Sequence, residues 1–553
     1  MRTTCRIIAL GFLLAGTLNR VHAYEALQGP TELRFWDKAK AYNGYTLFGA
    51  HGNSYLIDMD GQVVNTWRVG TSPRLLENGN LLDASKDDPS GFQGFQEVDW
   101  NGKVVWEYVE KRPDYAPHHD WVRIFNKKLN ANTMLYIANR TVTREQALAA
   151  GCDPNKMKPE GREQGNRRRD EDRRGPPRDG RGGGPRGGRG DKMQVDAVVE
   201  VDMNGKIVWE WWFGDHVIQD VDATKPNYVG KGKTIADYPG RLNINLPGRP
   251  LRGDWLHCNA LDYNAELGQI VINSVQGEFY VIDHDKTFVP GDPEGSIKQA
   301  AGPAGDFLYR FGDPARYGQG DHPAILEDWT QATSGHKQIG GSHGVQWIGP
   351  GLPGAGHFLI FNNGQYIFDR TSQSSVLEIN GFLDADGRDT GHYVNPPEAG
   401  YSEARFHRDT HKPPRLVSKQ IVWSYQSKSN QGFFSHIGSS AQRLPNGNTL
   451  ICSDTEGHLF EVTAKGELAW EYINPVTKEL GTVKVMPDCI PMTNSVFRAY
   501  RYGPDDPALK GKGLTPKGTI TDKFPRAADP RAGDREPPGD DRQPRPRRPR
   551  TEQ

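Results

Sequence analysis

Residues 435–474 read SHIGSSAQRLPNGNTLICSDTEGHLFEVTAKGELAWEYIN, and much of the remaining chain is a set of looser copies of that segment. A first run, 438–444, leads through Pro445-Asn446-Gly447-Asn448 into the apolar run 449–452. Asn-Gly supplies the positive φ angles that a tight hairpin needs. A third run, 458–462, turns at Ala464-Lys465-Gly466 into 467–472. The pattern predicts four short strands in a meander joined by hairpin-length turns.

The last hairpin recurs as an acidic or apolar strand end, an Asp/Asn-Gly turn and a strand closing on Trp. It reads EVDWNGKVVWEY at 97–108, EVDMNGKIVWEW at 200–211 and EVTAKGELAWEY at 461–472, with a weaker LIDMDGQVVNTW at 56–67. Two further copies are split by inserts: YVIDHD at 280 with FLYRF at 307, and VLEING at 376 with IVWSY at 421. A lone four-stranded sheet cannot bury both faces, and radial stacking solves that problem. The fold class expected is therefore all-β, a six-bladed β-propeller.

With 553 residues, 13 Trp and 20 Tyr the chain is long enough for a large core, and its 35% hydrophobic content is diluted by polar tails. A formal charge of -1 gives no reason to expect a nucleic-acid partner. Arg2 and Arg6, the apolar stretch 7–18 and Val21-His22-Ala23 make residues 1–23 a secretory signal in this reading, too short in its apolar run to span a bilayer. No later stretch is long and apolar enough to span, so the mature protein is expected to be exported, periplasmic or secreted. Cys152, Cys258, Cys452 and Cys489 then remain, allowing three pairings with none assigned; no CxxC points to structural zinc. The Gly/Arg/Pro run at 162–189 cannot pack a core and marks a disordered insert over about 156–192. The domain division expected is propeller over 24–500 and an extended or disordered tail over 501–553.

Several blades open with histidine: Ala116-Pro117-His118-His119-Asp120-Trp121, Asp254-Trp255-Leu256-His257-Cys258-Asn259, Gly341-Ser342-His343-Gly344 and Ser435-His436-Ile437. If these occupy equivalent places beside the central axis, side chains over 300 positions apart ring one funnel end. His458 opens a different strand and approaches from its blade's loop. Neutral imidazole can attack an electrophile, act as a general base or bind a metal. No HxH or HExxH supports a metal, whereas transfer of a charged group needs the parts present: a nucleophile, donors for anionic oxygens and a proton carrier.

The segments DWLHCNALDYN (254–264), IVINSVQGEFYVIDHD, FLYRFGDP, SHGVQWIGPGLPGAGHFLIFNNG (342–364) and LPNGNTLICSDTEGHLFEVT (444–463) resemble the bacterial aryl sulfate sulfotransferase family. The similarity runs from about 44 to 475. It implies a periplasmic six-bladed propeller that moves a sulfuryl group from a phenolic sulfate ester to a phenol, without a nucleotide donor, through a sulfohistidine. Carried over on the matching motifs, His257 and His343 are the supporting histidines, His458 in EGHLFEV accepts the sulfuryl group, and Asn363 falls at the turn beside the site. Arg370 is the nearest counterpart of the family's arginine, because NNGQYIFDRTSQSS departs from the pattern. A second departure is at the front, where 24–43 leave no room for the β-sandwich that characterised members carry.

The resulting expectation is catalysis by His458, His257 and His343, with Asn363, His436, His119, Arg370 and Arg443 binding substrate. The partners are a small phenolic sulfate donor and a phenol acceptor, with no cofactor and no metal, and the sequence assigns no oligomeric state. His436 stands at a blade opening and competes with His458 for the nucleophile's role. Another class of function is a non-catalytic propeller that binds sulfated polymers or a cell-surface partner through the Arg-rich insert. A third is metal-dependent hydrolysis.

Overall fold

Each repeated hairpin forms the outer half of a four-stranded antiparallel sheet, and six such sheets stand in a ring. The structure is a computed structural model that describes residues 30–85, 93–157, 192–246, 253–321, 335–364, 373–404, 415–427, 432–479, 482–485 and 493–523. The innermost strands of blades 1 to 6 are Ala499–Tyr502, Arg74–Leu75, Tyr115–Asn126, Cys258–Asn264, His343–Trp347 and Ser440–Arg443.

The repeat signature has two physical jobs. In three copies an Asp opens the turn: Asp58, Asp99 and Asp202 each accept two backbone N–H groups, two and four residues on. The Gly three residues later (Gly61, Gly102, Gly205) takes a φ of 78 to 86° that side-chain-bearing residues avoid. The Trp closing the hairpin ties one blade to the next. Trp67 Nε1 donates to Asp99 O, Trp106 to Met203 O, Trp423 to Ala464 O and Trp470 to Met59 O, at 2.8–3.0 Å. Three of these indoles also carry an arginine from the next blade's inner strand over their face: Arg123 on Trp106, Arg443 on Trp423 and Arg501 on Trp470. Each arginine pairs with the Glu that opens the repeat, Glu97, Glu378 and Glu461 respectively. The wedge between blades is otherwise apolar, for example Phe48, Tyr55, Trp470 and Tyr472, all at or below 1% exposure.

Hydrogen bonds also run around the inner strands. Leu75 N donates to Tyr502 Oη, Arg74 pairs with Asp120, Leu261 N donates to Asp120, Trp347 N to Asp262, Gln346 Nε2 to Ala441 O and Ala499 N to Ser440 Oγ. Closure is double. Blade 1 draws three strands from Tyr45–Ala50 to Val63–Trp67 and its innermost strand from Ala499–Tyr502, while Glu32–Trp36 adds a fifth strand outside Leu468–Ile473.

The propeller does not release the chain at 500. Ala499–Tyr502 is a blade strand, and the segment after it packs on blade 1: Val63 N bonds Gly518 O, Lys517 N bonds Val63 O, and Ile520 is fully buried. The apolar side chain and paired backbone hold residues 503–523 of the expected tail against the blade. Residues 158–191 of the insert, 524–553 of the tail, the leader and Cys489 lie outside the described residues. Cys152, Cys258 and Cys452 are free thiols, each buried.

Candidate active site

Four inner strands enter with the same backbone device. His119, His257, Gly344 and Ser439 all have left-handed φ, at 57, 51, 62 and 84°. Two of these, His119 and Gly344, lie at irregularities in strand pairing, within Tyr115–Asn126 and His343–Trp347, and His257 directly precedes the strand Cys258–Asn264. Bulges of this kind re-aim side chains at strand ends, and positive φ in a non-Gly residue is strain held by surrounding structure. The outcome is one cluster at one end of the axis. The His119 and His257 rings lie 4.6 Å apart, edge to face, and Phe497 stands 6.3 Å from both His119 and His343.

Hydrogen bonds define each imidazole. Asp254 Oδ2 accepts from His257 Nδ1 at 2.5 Å, leaving the lone pair on Nε2. Burial would raise the Asp254 carboxyl, but the hydrogen bond and charge of His257 outweigh it and hold the carboxyl below its usual range. His343 Nδ1 donates to Gly341 O at 2.8 Å and Asn363 Oδ1 at 2.9 Å, so its lone pair too is on Nε2. Burial pushes the His343 imidazole down to about 4; the hydrogen bonds to Asn363 and Gly341 oppose this, and His257 and Arg498 deepen it. His119 is pushed down by burial and then by His118, His257, His343 and Arg498. Both imidazoles are therefore neutral near pH 7.

The backbone before His343 is fixed by an enclosed amide network. Asn259 and Asn273 both donate to Ser342 O, and Ser342 Oγ returns a bond to Asn273. Behind the histidines Arg498 donates to Asp120 at 2.6 Å, and Asp120 also receives Arg74. Beyond this cluster a small cavity of about 20 Å³ lies among Arg74, Asp262, Gln346, Ser440, Arg498 and Tyr500. That is room for about one water.

His436 joins the cluster through Asn363. The Asn363 amide donates to Ser435 O at 2.8 Å and Gly438 O at 3.2 Å, the carbonyls on either side of His436, while its oxygen holds His343. His436 is exposed on this loop. Both side-chain N–H groups of Asn363 are thus engaged within the protein, which makes its amide a link between the His343 ring and the His436 loop.

The remaining expected residues sit elsewhere. His458 begins the third strand of blade 6, two strands out from the axis, or about 10 Å at ~4.8 Å per strand. It has no exposed surface, stacks on Phe460 at 4.4 Å and donates from Nε2 to Glu471. His458 is thus enclosed two strands out from the axis, whereas exposed His436 stands on the loop that Asn363 ties to His343. Arg443 stands at the end of its strand away from the histidines, bound to Glu378 at 2.6 Å, and ties two blades together. Arg370 lies outside the described residues.

Phe497, Arg498, Asp120 and Asp254 were not anticipated. The available signal was strand counting: LIDMDGQVVNTW closes a blade with only two strands before its final one, so a strand from the far end of the chain had to complete it. VFRAYRY supplies that strand.

A family model described as arylsulfotransferase (ASST) matches residues 182–493, more than half of the chain. The chain belongs to the arylsulfotransferase family. Membership supports aryl sulfotransferase activity in general and small aryl molecules as substrates. The match spans His257, His343, Asn363 and His436 and excludes His119, Phe497 and Arg498. No curated protein matches this arylsulfotransferase-family chain. Among solved structures, it is similar to a Bacteroides caccae protein of unknown function (9% identity, TM-score 0.33, covering 83% of this chain and 98% of that one). It is also similar to the WD40 domain of Toxoplasma gondii coronin (8% identity, TM-score 0.32, covering 89% and 95%). Likeness at that level carries no argument. No helix among the described residues is long and apolar enough to cross a membrane. No group of three or more His, Cys, Asp or Glu among them could hold a metal ion.

Proposed function

We propose that this chain moves a sulfuryl group from an aryl sulfate ester to a phenol through a sulfohistidine at His436, without a nucleotide donor, cofactor or metal. The observation that carries this reading is the Asn363 amide, which binds the loop on both sides of exposed His436 and also holds His343. Accessibility favours His436 over His458: a sulfur electrophile needs an open nitrogen, and His458 is enclosed.

In the first half-reaction the His436 lone pair forms an N–S bond while the sulfur–aryl oxygen bond breaks, and that electron pair leaves on the phenolate. His257, whose Nε2 lone pair takes up a proton from solvent before the donor reacts and whose resulting charge Asp254 steadies, gives that Nε2 proton to the phenolate. In the second half the acceptor phenol returns a proton to His257, its oxygen attacks sulfur, and neutral His436 is released. Neutral His119 and His343 add no competing positive charge, and the buried Arg498 cation favours a sulfate anion held in the funnel. The half-buried Phe497 ring between His119 and His343 gives the aryl group an apolar wall. Asn363 acts by positioning.

The test is transfer from a chromogenic aryl sulfate to phenol, with mass spectrometry of the donor-treated protein. The expected result is a sulfated peptide containing His436, abolished transfer in His436→Ala, and transfer retained in a folded His458→Gln. Loss in His458→Gln with His436→Ala active reverses the assignment. The leader-like segment 1–23 places this chemistry outside the cytoplasm in the same reading; a reporter fused after residue 23 that stays inside the cell would refute that part.

A further inference from the structure

We propose that Asp196, His118 and His119 form a proton relay in the funnel wall, in which His119 takes up a proton at Nε2 and His118 holds the resulting charge against Asp196. The inference rests on the transfer reaction proposed above and adds His118 and Asp196 to it as positioning residues that act through His119. His118 and His119 are consecutive on the inner strand Tyr115–Asn126, at the pairing irregularity between Pro117 and Trp121. Neighbouring side chains of a regular strand face opposite ways. Here the left-handed His119, at φ 57°, lets the two rings meet edge to face with centroids 5.0 Å apart.

Three contacts define the relay. The Nδ1 atoms of His118 and His119 are 2.7 Å apart, a hydrogen bond that holds a single proton. His118 Nε2 stands 3.0 Å from Asp196 Oδ1. A lone pair facing a carboxylate at that distance is repelled, so this nitrogen carries a hydrogen. The half-buried His119 ring lies 4.6 Å from the His257 ring in the cluster.

These contacts lock the two tautomers together. With the pair neutral, the Nδ1 lone pair of His118 accepts the Nδ1–H of His119, and His119 Nε2 carries a lone pair. When that lone pair takes a proton from solvent, an N–H bond forms at His119 Nε2, the Nδ1–H bond of His119 breaks, and its proton moves to His118 Nδ1. His119 is neutral again, now with an Nε2–H for a sulfate oxygen, and the positive charge lies on His118. The surroundings favour the charge there. Asp196 is 1% exposed and has no other ion-pair partner among the described residues; its Oδ2 is buried and meets no hydrogen-bond donor among them. Asp254 also interacts with His118, and one of its oxygens is unmet in the same way. His119 instead faces His257, His343 and Arg498, which disfavour a charge on its own ring. A buried carboxylate without a cation is costly, and a proton on His118 supplies one.

The test compares the full-length wild type with His118→Gln, which cannot titrate, and Asp196→Asn, which keeps an oxygen for the Cys258 N–H; thermal unfolding verifies that both fold. Titration calorimetry with 4-nitrobenzenesulfonate, whose carbon–sulfur bond is not transferred, is run at pH 8 in HEPES and in Tris, and the difference in heat gives the protons taken up on binding. Transfer from a chromogenic aryl sulfate to phenol is measured alongside. The expected result is about one proton fewer in His118→Gln, a smaller uptake than wild type in Asp196→Asn, and kcat at least about tenfold lower in both. A merely structural role for the pair would not move the proton count. Wild-type uptake or wild-type kcat in either variant overturns the relay, whereas absence of transfer in the wild type counts against the reaction itself.

Discussion

Replacing His343 by Asn is expected to flatten part of the protein's acid loss of stability between about pH 7 and pH 4.5. Asn keeps a side-chain N–H where Nδ1 stands, directed at Gly341 O and Asn363 Oδ1, but does not titrate. In the wild type burial pushes His343 down to about 4, against an ordinary value of 6.5. The folded state therefore binds fewer protons than the unfolded state in this interval, so stability falls as pH drops through it. At ~1.4 kcal/mol for each pH unit separating the two values, the full loss is on the order of 3 kcal/mol. His119, also pushed down by burial, adds a loss of the same sign. Asp262 opposes both: burial pushes its carboxyl up to about 6, so the folded state gains protons, and stability, as pH falls through that value. The raw curve mixes these, and the difference between wild type and variant isolates His343. Urea unfolding at several pH values gives the two curves. They should converge as pH falls, the variant's constant deficit from its smaller side chain shrinking by about 2–3 kcal/mol. Parallel curves would refute the burial argument for His343.

Three further outcomes are expected. Asp254→Asn removes the carboxylate that orients His257, and kcat for transfer should fall by about 10²-fold, more for donors with poorly leaving phenols; a fall independent of the leaving group counts against His257 as the proton donor. Asn363→Leu deletes three hydrogen bonds, and at ~1 kcal/mol each should cost about 3 kcal/mol in denaturant unfolding while lowering kcat through the loosened His436 loop; unchanged kcat in the folded variant counts against the bridge. Arg443→Met leaves Glu378 with one cationic partner fewer at a blade boundary and should cost about 3 kcal/mol, while KM for the aryl sulfate stays unchanged because Arg443 lies at the end of its strand away from the histidines.

Much of the fold was legible because a propeller repeats its local physics. The Asp that receives turn N–H groups, the left-handed Gly and the Trp that reaches the next blade each need a fixed residue type at a fixed offset, so they survive as a pattern. The Glu–Arg–Trp ties show the limit: Glu and Trp lie within one repeat, but their arginines sit on the next blade. That is why Arg443 read as a spare anion contact until its partner Glu378 was in view. His257 and His343 were found because one precedes and the other opens an inner strand, and His119 because it lies in the first half of one. His458 matched a family motif, and a motif match carries no information on which way a side chain faces.

The sequence by itself determined the six blades, the hairpin turns and the gathering of blade-opening histidines, because these follow from short-range spacing and the need to bury both faces of each sheet. The tertiary structure decided which histidine is open and which is sealed. It also decided that residues 497 and 498 stand beside the histidine cluster and that residues 503–523 pack on blade 1. Those outcomes depend on ring closure, which joins chain segments more than 400 residues apart, and no local pattern encodes a contact made at that distance.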